Sequence, residues 1–148
     1  MEEKVLEWDY EINGKDFRNA GKVSSKVKEI LKELGFDPDF VRRVAIASYE
    51  AEMNVVCHAE RGVLHLTISP EELRIVVKDK GPGIQDIELA MQEGYSTASP
   101  EIREMGFGAG MGLPNIKKNV DKLNIASTVG EGTVVDMLIK PSSIREFG

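Results

Sequence analysis

An α+β fold, a two-layer sandwich in which a mixed, mostly antiparallel sheet carries about three helices on one face, is the architecture this 148-residue sequence predicts. Two observations carry that expectation. Strand-like runs come in hairpin pairs: Val63 to Ser69 with Leu73 to Lys78 across Pro70-Glu71-Glu72, and Asn124 to Val129 with Thr133 to Lys140 across Gly130-Glu131-Gly132. Helical periodicity is grouped between strands, so the regular strand-helix alternation of a doubly wound parallel sheet is missing. Length and composition fit one domain over 1–148, with 41% hydrophobic residues to bury a core and 30% charged residues to solvate its surface.

Taken in order, Lys4 to Ile12 alternates imperfectly and ends at the turn signal Asn13-Gly14, which predicts a strand. From Asp16 onward, Phe17, Ala20, Val23, Val27, Ile30, Leu31 and Leu34 follow the spacing of an amphipathic helix, with Gly35 at its C-terminal cap. The polar face of that helix carries Lys15, Arg18, Lys22, Lys26, Lys28 and Lys32 against Asp16, Glu29 and Glu33, which suits either a solvated surface or a docking surface for an acidic partner. Asp37-Pro38-Asp39 opens a second helix, with an N-cap side chain, a proline at the first helical position and a carboxylate for the dipole, and the helix runs to about His58. The first hairpin follows and Asp79 closes it. Between Gly81 and Gly112 there is one weak helical stretch, Ile87 to Gln92, in a segment too long for a passive connector. A third helix, Leu113 to Leu123, is opened by Pro114. The second hairpin ends the fold, and 142–148 reads as a frayed tail.

Charge and residue inventory exclude several function classes. With 19 Lys and Arg against 25 Asp and Glu, the net charge of −6 repels nucleic-acid backbones and anionic membranes. The longest apolar run is Val44 to Ala47, far below the roughly 20 residues a membrane span needs, and the acidic amino terminus does not read as a signal peptide, so a cytoplasmic protein is expected. Cys57 has no partner for an internal disulfide, and His58 and His65 do not supply a four-ligand zinc site. The anomaly is glycine: nine of 14 lie between Gly81 and Gly132.

Three segments hold the candidate chemistry. Glu50, Asn54 and His58 are spaced four apart and project from one face of the second helix. Asp79-Lys80-Gly81-Pro82-Gly83-Ile84 follows a valine-rich strand and sets a carboxylate beside backbone that a flat ligand can approach. Gly106-Phe107-Gly108-Ala109-Gly110-Met111-Gly112-Leu113-Pro114 leads into a helix, where successive amides and the helix dipole favour phosphate. No Lys-Ser or Lys-Thr follows these glycines, as a P-loop needs, and the spacing of the dinucleotide fingerprint is broken at Met111 and Leu113. Eukaryotic-type kinase marks are absent as well: Val44-Ala45-Ile46 is followed by Ala47.

In combination, Glu50 to Asn54, Asp79 to Gly83, Gly110 to Leu113 and Gly130 to Thr133 resemble the ordered motifs of the GHKL (Bergerat-fold) ATPases over nearly the whole chain. The short length, the Glu-Ala-x-x-Asn-x-x-x-His-Ala box and Glu93-Gly94-Tyr95-Ser96-Thr97 look like the bacterial anti-sigma-factor and stress-switch serine/threonine kinases, and Gly108-Ala109-Gly110 with Gly112-Leu113-Pro114 look most like the switch branch. The resemblance implies ATP and Mg2+ as ligands, with Asn54 as the metal ligand and Glu50 as the base that takes a serine or threonine proton. It further implies that Asp79, supported by Thr133, accepts from the adenine amine, that Gly81, Gly83 and Ile84 flank the base, and that Gly108, Gly110, Met111, Gly112 and Leu113 form the phosphate box. The stretch 84–112 becomes an ATP lid, with Ser96, Thr97 and Arg103 as lid contacts. His58 matches the family box without a required catalytic role, and Cys57 reads as a small buried hydrophobe. The implied partner is a small antagonist-type protein substrate, with a sigma factor and a homodimer, as anti-sigma relatives often form, in addition. The alternative is an ATP-gated binding protein that sequesters a sigma factor or other regulator with little phosphoryl transfer. A detached sensor-kinase catalytic domain fits less well, since Glu50 adds a base that such domains do not need.

Overall fold

The computed structural model describes residues 5–92 and 112–141. Five strands form one sheet in the order β1-β2-β3-β5-β4: β1 (Leu6–Asn13), β2 (Arg61–Ile68), β3 (Leu73–Lys80), β4 (Lys122–Thr128) and β5 (Gly132–Ile139). All four pairings are antiparallel, so among the described residues the sheet lacks the parallel component of the expected mixed sheet. The β2–β3 and β4–β5 hairpins, the helical connection from β1 to β2 and the crossover from β3 to β4, which leaves a place that β5 then fills, build it without a parallel pair.

Alternation decides the faces. Ile12 of β1, Leu64, Leu66 and Ile68 of β2, Leu73, Ile75 and Val77 of β3, and Val135, Met137 and Ile139 of β5 are buried in one core with Val27, Leu31, Phe40, Val44 and Ile116 of the helices. The opposite face is open to solvent and mixes valines and a leucine with charged pairs: Arg74 pairs with Asp136 across β3 and β5, and His65 sits between Asp9 and Glu7 of β1. Those carboxylates raise the basicity of His65 above the ordinary imidazole range.

The helices on the inner face are α1 (Lys22–Glu33), α2 (Pro38–His58), the single-turn α3 (Ile87–Ala90) and α4 (Gly112–Asn119). Asp37 caps α2 as its spacing predicts, accepting from the Phe40 amide at 3.0 Å. Two boundaries differ from the sequence expectation. The first helix starts at Lys22 instead of Asp16, after a 3-10 turn at Phe17–Asn19, because Gly21 takes φ 92° and breaks the helical path. The third helix stops at Asn119, and Lys122 and Leu123 go to β4, where they pair with Leu138 and Met137.

Gly21 has no side chain with which to cap α1, and α2 supplies the cap. The Glu52 carboxylate, 2% exposed, accepts from the amides of Gly21 at 3.0 Å, Val23 at 3.3 Å and Ser24 at 2.9 Å. It satisfies amides that the helix start leaves without partners, and its charge complements the dipole. The far end of α2 is closed by Lys15, whose amide donates to the Val56 carbonyl at 2.7 Å and whose ammonium donates to the Cys57 carbonyl. Lys15 holds φ 63° to do so. Buried Arg43 ties the first half of α2 to the end of the sheet, donating to the Lys140 carbonyl at 2.7 Å and pairing with Asp121 at 3.5 Å and Asp39 at 3.6 Å.

Glu52→Ala removes an acceptor from three amides at once and leaves them in a water-poor site. A loss of about 2–4 kcal/mol is expected, measured by chemical denaturation, with the α1 amides exchanging fastest relative to the parent. Loss of less than about 0.5 kcal/mol would show that water replaces the cap.

Candidate functional site

Helix α2 is buried on most of its circumference, and Ile46, Glu50, Asn54 and His58, all half-exposed, form a line along one side, next to half-exposed Ala45 and exposed Tyr49. The four-residue spacing read from the sequence is therefore a real stripe, flanked by buried Ala47, Ala51, Val55 and Cys57. The Asn54 amide makes no hydrogen bond among the described residues, which leaves its oxygen open to a cation. His58 is kept below the ordinary imidazole range, first by burial and then by the Lys15 ammonium, so it stays neutral near pH 7. Cys57 is buried, with its thiol pushed up chiefly by desolvation, which removes nucleophilic character.

At the C-terminal end of this stripe, β3 continues to Lys80, so Asp79 is the penultimate strand residue and does not close the strand. The β3–β5 ladder is registered from Leu73 opposite Ile139 to Lys78 opposite Val134, and beyond it the Asp79 side chain takes over: Oδ1 accepts from the Thr133 amide at 3.1 Å. One carboxylate oxygen is thereby fixed, and the other has no partner among the described residues. Desolvation raises the Asp79 carboxyl above the ordinary carboxylate range, and the Thr133 amide works against that rise.

The loop after Asp79 is stitched to the β4–β5 turn. The Gly81 amide donates to Glu131 carbonyl at 3.2 Å, the Gly130 amide to Pro82 carbonyl at 2.8 Å, and the Ile84 amide to Ser127 Oγ at 2.6 Å. Ser127 also touches the buried Thr133 hydroxyl at 2.9 Å, so this hydroxyl joins the loop anchor while the Thr133 amide holds Asp79. Two glycines are required by protein packing itself. Gly83 has φ 76°, and a Cβ there would lie 2.5 Å from the Thr128 carbonyl oxygen; at Gly132 it would lie 2.1 Å from that of Asp79. Gly81 lies against Ala59, the residue after α2, which brings the Asp79 end of the site to the end of the stripe.

At the other end, α4 packs on α2 through buried Leu113 and Ile116. Asn115, between them, donates from Nδ2 to Glu50 Oε2 at 2.9 Å. Gly112 is half-exposed, with open space where a Cβ would stand. A groove of about 530 Å³ opens here between α1, α2 and α4, and Lys28, Tyr49, Glu50 and Asn115 line it. The candidate residues Ser96, Thr97, Arg103, Gly108, Gly110 and Met111 lie outside the described residues, as do most of the expected lid over 84–112 and the tail. The described residues thus bring together two stations on α2: Asp79 beside Ala59, and Glu50 beside α4. Ala59 caps the helix nine positions after Glu50, about 13 Å along the axis at 1.5 Å per residue.

Ser127 and Asn115 were not singled out by sequence reasoning. Asn115 follows Gly112-Leu113-Pro114 directly, and a polar residue between two apolar positions at a helix opening was the available signal. Ser127 had none, since its partners are 43 and 6 positions away.

A family model described as the histidine kinase-like ATPase domain matches residues 15–139. The serine/threonine-protein kinase RsbT of Bacillus subtilis is 31% identical over 115 residues, covering 75% of this chain and 80% of that protein. The anti-sigma F factor of Thermoanaerobacter sp. is 31% identical over 118 residues, covering 80% and 75%. Among solved structures, the mycobacterial sensor histidine kinase MprB aligns with a TM-score of 0.53 at 15% identity, covering 92% of this chain and 98% of that one. The catalytic domain of the histidine kinase ThkA aligns at 0.50 and 14% identity, covering 95% and 97%. At these identities the structural likeness is one of fold, and it agrees with an antiparallel sheet with helices on one face. No helix among the described residues is long and apolar enough to cross a membrane.

Ser127→Ala removes the acceptor of the Ile84 amide and the partner of the Thr133 hydroxyl. Hydrogen exchange should speed up at Ile84 and at its neighbours in the loop, with a stability loss of about 1–2 kcal/mol. Unchanged exchange at Ile84 would mean that the loop is held by the glycine contacts alone.

Proposed function

This chain belongs to the histidine kinase-like ATPase domain family, and on that footing we propose that it is an ATP-dependent serine/threonine protein kinase of the anti-sigma or switch type, acting on a small antagonist-type regulatory protein. The observation that carries the reading is the pair of stations on α2. Asp79 offers a free carboxylate oxygen at one end, Glu50 a second carboxylate at the other, and the open amide of Asn54 lies between.

In this reading Asp79 accepts from the exocyclic amine of adenine through the oxygen that Thr133 leaves free, and Gly81, Gly83 and Ile84 form the wall of that pocket. Asn54 would hold Mg2+ through its amide oxygen, a hard donor of the kind this cation takes. When bound, the metal neutralises charge on the phosphates. Gly112 and Leu113, with Gly108, Gly110 and Met111 before them, cradle the phosphates; Ser96, Thr97 and Arg103 contact them from the lid over 84–112. Glu50 takes the proton of an acceptor serine or threonine hydroxyl as its oxygen bonds to the γ-phosphorus. The bond from γ-phosphorus to the bridging oxygen breaks, and ADP leaves with the electron pair. The whole chain works as one such domain.

The relative named anti-sigma F factor supports a second reading, in which the chain is an ATP-gated binding protein that sequesters a sigma factor or other regulator with little phosphoryl transfer. Incubation with γ-labelled ATP, Mg2+ and purified candidate partners separates the two: label on a partner serine or threonine supports the kinase, and a stable ATP-dependent complex without label supports the binder.

Glu50→Ala should keep ATP affinity within about twofold and lower phosphoryl transfer by about 10²–10⁴, the range for loss of a general base. Undiminished transfer to the partner removes that role from Glu50. For Asp79, the ionised form is the acceptor and its carboxyl is raised by burial. ATP affinity should therefore fall on acidification at a pH above the ordinary carboxylate range, as the proton fills the acceptor. In Asp79→Ala the affinity should be low and without that pH step; calorimetric titration of ATP at several pH values checks both.

A further inference from the structure

The Glu50 carboxylate is reached by one hydrogen bond among the described residues, and it comes from outside its own helix. Asn115 Nδ2 donates to Oε2 at 2.9 Å across the α2–α4 contact. The orientation of the Asn115 amide is settled by its partner: a carboxylate only accepts, so the carbonyl oxygen turned toward it would be repelled. Asn115 is itself held. Leu113 and Ile116, on either side of it in the chain, are buried in the core, and the Asn119 side chain donates to its carbonyl at 2.8 Å. The bond occupies Oε2 of Glu50 and leaves the other oxygen without a partner among the described residues, and Glu50 itself lines the groove shared by α1, α2 and α4.

We propose that Asn115 is a positioning residue: it fixes the Glu50 carboxylate in one rotamer, so that the free oxygen faces the incoming hydroxyl. The proposal rests on the reading of Glu50 as the base. A glutamate on a half-exposed helix stripe samples several rotamers, and proton transfer needs one of them within hydrogen-bond reach of the acceptor. A donor on a neighbouring, core-anchored helix removes that search. Misplacement of a reacting group by about 1 Å is enough to cost up to about a hundredfold in rate. The bond also joins the base to α4, the helix that carries Gly112 and Leu113, so the two halves of the proposed site are in register through one amide.

The test uses the full chain with MgATP and water as the acceptor, reading γ-phosphate release, together with side-chain amide spectra of the 15N-labelled protein. In Asn115→Ala, kcat should fall by about tenfold to a hundredfold with KM for ATP within about twofold. Asn115→Asp has nearly the same volume but loses the donor and sets like charge against Glu50, so it should fall at least as far; a packing role predicts near-normal rates there. In a Glu50→Ala background, Asn115→Ala should cause no further loss, because it acts only through Glu50. The Asn115 amide signals, identified by their disappearance in Asn115→Ala, should move in Glu50→Ala, where the carboxylate acceptor is gone. Parent-like rates in Asn115→Asp, an independent loss in the Glu50→Ala background, or amide signals indifferent to Glu50 each overturn the proposal. Undiminished phosphate release in Glu50→Ala is a different failure: it removes the base assignment, and any catalytic role for Asn115 with it, while the amide signals still report whether the contact exists.

Discussion

The enclosure of α2 is the constraint on which the rest depends. A 21-residue helix with Phe40, Val44, Ala47, Ala51, Val55 and Val56 buried cannot lie on a surface; it needs the sheet beneath it and a helix on each flank. Once it is enclosed, what stays open beyond its first turn is Arg42, Ala45 and Tyr49 on one side and the line through Ile46, Glu50, Asn54 and His58 beside them, and its candidate side chains all lie on that line. Functional side chains then have one direction in which to project, and every other element is placed relative to that line. The flanking helices are not held by apolar contact alone. Glu52 reaches from α2 to cap α1, and Asn115 reaches from α4 to Glu50.

Three carboxylates within this small region show how environment divides one chemistry into separate duties. Glu52 is committed to the fold: three amides use both of its oxygens, and at 2% exposure it is out of a ligand's reach. Asp79 is half used, with Oδ1 taken by the Thr133 amide and burial opposing its ionisation. Glu50 is half used as well, but from a side chain on another helix. Glu50 and Glu52 are two positions apart, and the helical turn alone sends one to the open stripe and the other under α1.

What could be read from the sequence follows from the range of the interactions involved. The start of α2 was legible because Asp37, Pro38 and Phe40 make the cap among themselves, and the two hairpins were legible because their turns are local. The start of α1 was not, since apolar spacing runs on through Phe17 and Ala20 while the break at Gly21 is stabilised by a carboxylate 31 residues away. Glu50, Asn54 and Asp79 stood out through motif order; their supports, Asn115, Ser127 and the Glu131 carbonyl, come from segments brought near only by the sheet. The extension of β3 to Lys80 has the same origin, because its last residues are paired by Arg61 and Gly62 of β2.

The stitched loop after Asp79 has an energetic consequence for any molecule that enters there. Its amides at Gly81 and Ile84 are already engaged by the β4–β5 turn, so the chain entropy of ordering that loop is settled when the protein folds. A ligand meeting Asp79 and this loop finds a preformed wall and has no disorder there to remove, and its affinity there is set by contact and desolvation. Association at this end should accordingly be governed by encounter, with little delay for rearrangement of the wall.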